Sequence, residues 1–74
     1  MFVKSNLGDI TYNNKEVVRI VNPKQRDLYL MNGIMPKDIY TSIDSQTGEK
    51  ILVYIFSKEE TYDAYQKWRS YELK

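Results

Sequence analysis

The sequence predicts a small α+β domain: a mostly antiparallel sheet in the order (β-hairpin)-β-α-β-β-α, with two helices packed on one face. Three observations carry this. Two segments carry helix start signals, Asn22-Pro23 and Ser57-Lys58-Glu59-Glu60. Two strand-like segments flank the turn residues Asp44 to Glu49. The chain has 74 residues, which is one domain's worth.

The elements follow in order. Phe2–Ser5 and Ile10–Tyr12 flank Asn6-Leu7-Gly8-Asp9, so residues 1–15 read as a small hairpin or loosely packed arm. Residues 16–74 read as a single compact body. Glu16–Val21 is rich in β-branched apolar residues and predicts a strand. Asn22 then stands as an N-cap with Pro23 at the first helical position, and Gln25 is placed to close a capping box. Asn32-Gly33 supplies the stop, giving a helix over 23–32 with Leu28, Tyr29 and Met31 towards the core.

Pro36 forces an extended step. Ile39–Ile43 alternates as a half-buried strand does, and Ile51–Phe56 is apolar on both faces, the pattern of a central strand. The two are expected to form an antiparallel hairpin. The last helix, 58–72, aligns Thr61, Ala64, Tyr65, Trp68 and Tyr71 on one stripe, with acids early and bases late. Both helices are expected on the same face, leaving the other open.

Composition restricts the function classes. Cys and His are both absent, which removes thiol nucleophiles, disulfides, imidazole ligands and the usual neutral-pH base. Eleven Lys and Arg against ten Asp and Glu leave a net charge of +1, so no polybasic footprint is present. The longest apolar run, Ile51–Phe56, falls far short of the roughly 20 residues of a membrane helix, and the start carries no signal-peptide core. A soluble, cytoplasmic protein without cofactor, metal or membrane attachment is expected.

An enzyme is not expected, because no Ser or Thr is spaced against a Lys base, and no Gly-rich phosphate cradle exists among three scattered glycines. Glu59 and Glu60 serve a helix N-terminus, while Asp38 and Asp44 bound a strand. Asp44–Glu49 is rich in oxygen ligands but lacks the spacing of a calcium loop, and a turn explains it.

Binding is the better reading. Seven Tyr, two Phe and one Trp exceed what one small core needs. Tyr54, Tyr62, Trp68, Arg69 and Tyr71 are the candidate partner-binding residues, being of the types favoured at protein interfaces. A nucleic-acid-associated protein is the alternative. Its phosphate contacts would come from Lys24, Arg26, Lys37 and Lys50, with Tyr54 and Phe56 as stacking rings. A small-ligand or nucleotide sequestering protein, with a Tyr- and Arg-lined pocket between subunits, is a second alternative.

Four stretches carry a resemblance. They are Arg19-Ile20-Val21-Asn22-Pro23-Lys24-Gln25, Tyr29 through Tyr40, Leu52 through Thr61, and Trp68-Arg69-Ser70-Tyr71-Glu72-Leu73. In these the chain resembles a family of small uncharacterised proteins from Gram-positive bacteria and their phages, a domain of unknown function. The resemblance covers Val18 to Leu73 and leaves out the first fifteen residues. It implies a phage or mobile-element setting and brings no activity. The expected function is therefore a non-enzymatic accessory protein that binds another protein and self-associates as a homo-oligomer.

Overall fold

A computed structural model describes residues 1–74. Seven elements follow in sequence: β1 Phe2–Lys4, β2 Thr11–Asn13, β3 Val17–Ile20, α1 Pro23–Met31, β4 Asp38–Ile43, β5 Lys50–Ser57 and α2 Lys58–Arg69. β1 and β2 pair as an antiparallel hairpin, Phe2 opposite Asn13. The main sheet has the order β3-β5-β4 and is antiparallel throughout. The expected α+β class and element order are those observed, with the strand around 51–56 at the centre.

Register sorts the side chains. Val18 lies opposite Phe56, and Ile20 and Ile39 lie opposite Tyr54 on either side of β5. These residues share one face, since side chains alternate along a strand. Tyr29 of α1 and Ala64 of α2 cluster with Ile20 and Phe56, so both helices cover that face. Tyr29 and Phe56 are fully buried and meet edge to face, ring centroids 5.3 Å apart. This geometry suits the ring quadrupoles.

The opposite face is not open, contrary to expectation. Val53 and Ile55 point that way and are buried. The β1–β2 hairpin lies against this face, bringing Val3 and Tyr12 beside Val17, Tyr40 and Ile55. Arg19 reaches from β3 to Ser42 of β4, Nη2 donating to Oγ at 3.5 Å, a span that passes over Val53. Residues 1–15 are thus a docked hairpin rather than a loose arm.

The helix ends show why some local signals act differently from expectation. Asn22 Oδ1 accepts from the backbone N–H groups of Lys24 and Gln25, as an N-cap should. Gln25 does not close the box. Its side chain turns inward and donates to the Tyr29 hydroxyl at 2.9 Å, because that buried hydroxyl needs a partner. Ser57 Oγ accepts from Glu60 N–H at 3.3 Å, while the Glu60 carboxylate pairs with Lys37 at 2.9 Å.

Met31 was expected in the core and is 77% exposed. Helix α1 ends there, and the chain turns back through Gly33, whose N–H donates to Leu30 O, and Ile34, whose N–H donates to Tyr29 O. Ile34 thereby occupies the core position that Met31 does not.

Helix α2 stops at Arg69, three residues before the expected end. Tyr71 N–H donates to Trp68 O and Glu72 N–H to Lys67 O, the Schellman arrangement. Tyr71 takes the left-handed position with φ of 60°, where glycine is usual. The reversal returns Leu73 to the core cluster and leaves Tyr71 outside, off the stripe assigned to it.

Candidate protein-binding surface

A three-stranded open sheet has two edges, and their hydrogen-bond parity decides what each can offer. Lys58 N–H donates to Glu16 O at 2.9 Å, extending the β3–β5 ladder by one step. Antiparallel ladders alternate bonded and non-bonded pairs, so Val18 and Ile20 bond inward to β5. The N–H and C=O groups of Val17 and Arg19 therefore point away from the sheet, with no partner in the chain.

The β4 edge is partly closed. Asp44 N–H donates to Glu49 O, which turns the groups of Ile39, Thr41 and Ile43 outward. Asn6 Nδ2 donates to Ile39 O at 3.2 Å, and Ile39 N–H donates to Asp38 Oδ1 at 2.9 Å. Only Thr41 and Ile43 stay open there.

Ala64 of α2 and Ile20 of β3 share the core cluster, so the helix and the strand edge stand near each other. Between them lies a groove walled by Val18, Arg19 and Ile20 on one side and by Lys58, Thr61, Tyr62 and Tyr65 on the other. Gln25 and Tyr29 of α1 also line it. Lys58, Tyr62, Tyr65 and Arg69 recur at helical spacing and form one stripe. Tyr62 is 66% exposed and Tyr65 45% exposed. The Arg69 guanidinium sits 5.9 Å from the Tyr65 ring centroid, a cation–π contact.

Of the five residues expected to bind a partner, Tyr62 and Arg69 share this stripe. Tyr54 is elsewhere: half-buried on the helix-covered face, its ring stacks on Phe56 at 6.3 Å with Arg26 5.1 Å above it. Trp68 is half-buried on the core flank of α2, and Tyr71 stands out from the C-terminal turn at 95% exposure. Sequence reasoning assigned Tyr65 to the core and passed over Arg19 and Lys58. The spacing of Lys58, Tyr62, Tyr65 and Arg69 was a readable signal for a second stripe; the outward parity of β3 was not.

The four basic candidates are spread out. Lys37 is paired with Glu60, and Arg26 Nε with Asp27 at 3.0 Å. Lys50 lies at the far end of β5, five residues along the strand from Ile55, or roughly 17 Å. Lys24 is exposed in the first turn of α1. No group of three or more Asp or Glu side chains gathers to hold a metal ion. No helix is long and apolar enough to cross a membrane.

The densest polar site is Asp38, 2% exposed, whose role is to hold the first hairpin. Its carboxylate accepts from Tyr12 Oη at 2.7 Å, Asn6 N–H at 2.8 Å, Ile39 N–H at 2.9 Å and Ser5 Oγ at 3.4 Å. Burial alone would raise its pKa. The hydrogen bonds from Tyr12, from the Asn6 and Ile39 amides and from Ser5 outweigh burial and hold it below the ordinary carboxylate value. Tyr12 is pushed up to about 12, first by burial, then by its hydrogen bond to Asp38 and that carboxylate's charge. Burial likewise raises Tyr29, partly offset by its bond with Gln25. A carboxylate satisfied by four donors is a clamp, with little capacity left for a proton or a metal.

The chain matches no protein-family model, and no curated protein or solved structure is similar to it.

Proposed function

We propose that this chain is a non-enzymatic accessory protein that binds another protein through the β3 edge and the α2 stripe. A phage or mobile element is its setting, on the strength of the resemblance carried by Val18 to Leu73. One observation supports the binding reading most: an open strand edge lies beside two exposed tyrosines backed by cations, with a groove between them. Tyr and Arg at such a place give large contact area at small entropic cost. Tyr71 adds to this. A bulky residue held at positive φ and wholly outside the core does nothing for the fold that glycine would not do better.

Self-association, the other half of the reading, has a separate place. The open β4 groups at Thr41 and Ile43 adjoin the exposed side chains of Ile43 and Leu52. The nucleic-acid reading draws less support, since Arg26 and Lys37 already face carboxylates. The ligand-sequestering reading would need subunits arranged to enclose a groove.

The test is affinity capture from the organism that encodes the chain, comparing the native protein with a Tyr62→Ala/Tyr65→Ala double variant. A partner retained by the native chain and lost by the folded variant supports the proposal. Identical recovery by both would count against this surface.

A further inference from the structure

We infer that the β3 edge takes an extended segment of its partner as an added strand, and that this segment alternates acidic with apolar residues. The inference rests on the protein-binding reading above and specifies what the partner presents. Its first support is the ladder parity. Val17 and Arg19 each turn one N–H and one C=O outward, so an antiparallel strand can exchange a pair of bonds with each. Strand addition needs such an edge in reach of side-chain pockets, and the β3–α2 groove supplies them.

The alternation follows from the pleat. A residue paired with Val17 or Arg19 points its side chain to the face that Arg19 occupies. Its neighbours in the segment point to the helix side, between Val18 and Ile20 on one wall and Tyr62 and Tyr65 on the other. Val18, Ile20, Tyr62 and Tyr65 present mainly apolar surface to those positions, so those neighbours are apolar.

The charge follows from Arg19, which lies on the face that those paired side chains share; Lys58 stands on the helix side of the groove, where its Nζ donates to Lys15 O at 2.9 Å. Arg19 is exposed and carries only a long hydrogen bond to Ser42, which leaves its guanidinium open to a carboxylate opposite or diagonal to it.

A second copy of this chain fits the same edge less well. Antiparallel self-pairing centred on Arg19 sets two guanidinium groups directly opposite each other. Centring it on Val18 removes that clash but brings the two α2 stripes, each with Lys58 and Arg69, against one another.

The test is a titration of the ¹⁵N-labelled full chain, followed by amide NMR, with an acetylated, amidated hexapeptide of alternating glutamate and valine. The glutamates are the residues whose amides face β3. Shifts at the Val17, Arg19, Tyr62 and Tyr65 amides are expected, with binding about tenfold weaker for Arg19→Glu. A peptide N-methylated at its glutamates is expected not to bind, and one N-methylated at its valines to retain binding. Equal binding by a lysine–valine peptide, or by the glutamate-methylated peptide, would overturn the inference, as would no binding of the parent peptide. Shifts confined to α2 would overturn strand addition while leaving a protein-binding helix standing. Concentration-dependent shifts at Val17 and Arg19 without peptide would show a second copy on the edge and refute the acidic segment.

Discussion

Replacing Asp38 with Asn tests how the first hairpin is held. The substitution keeps shape but removes the charge and turns one acceptor into an NH₂ group facing donors. Four groups now point at the carboxylate, at 2.7, 2.8, 2.9 and 3.4 Å. Hydrogen bonds to a charged group contribute about 1.5–3 kcal/mol each, and a donor left unpaired in a buried site costs about 1–3 kcal/mol. Partial relaxation of Ser5 and Tyr12 towards water recovers some of this, so a loss of about 2–3 kcal/mol is expected. Urea unfolding measures it. Hydrogen exchange locates it: the Ser5 N–H to Ile10 O bond closing the hairpin should lose protection first, before the β4–β5 amides.

The sign with pH is fixed by the direction of the shift. Asp38 is held below its unfolded value, so its contribution is present above about pH 4 and is lost as pH falls through the folded pKa. The gap between native and Asp38→Asn proteins should therefore narrow in acid. A variant within about 0.5 kcal/mol of native, with hairpin amides still protected, would refute the clamp.

Further expectations follow from other sites. Tyr71→Gly relieves a positive-φ residue with no core contact and should stabilise the chain by about 1 kcal/mol in thermal unfolding; a fall in Tm would contradict the account. Tyr29→Phe leaves the buried Gln25 amide without its acceptor and should cost about 1–2 kcal/mol, whereas no loss in urea unfolding would mean that Gln25 finds another partner. Tyr12 has a folded pKa near 12, above its unfolded value near 10, so its contribution holds below about pH 10 and is lost as pH rises through 12. In Tyr12→Phe that alkaline loss should be absent from stability measured across pH 9 to 12.

Much of the architecture was written locally. Asn22-Pro23 and Ser57 start helices because their oxygens reach amides two and three residues on, a contact within one turn. The β4–β5 hairpin was legible for the same reason, its strands being joined by a short run of turn residues. What was not legible depends on distant neighbours. Asp38 looked like a strand boundary because its partners lie 26 to 33 residues away. Met31 was assigned inward and Tyr71 to the aromatic stripe of the last helix by helical spacing, but each sits where a helix ends and the chain reverses. The surplus of aromatic residues was plain in composition. Which of them share a surface was not, since Tyr62 and Tyr65 gain their meaning from the edge of β3 beside them.

The central claim concerns which surface meets the partner. It is tested most directly by placing a photoreactive benzoylphenylalanine at position 62 in one protein and at position 43 in another, then irradiating each with the captured partner present. The account predicts a covalent adduct from position 62, mapped by mass spectrometry to an extended partner segment, and no adduct with the partner from position 43, where only a second copy of the chain is expected to crosslink. Partner adducts from position 43 alone would place the partner on the β4 edge and contradict it.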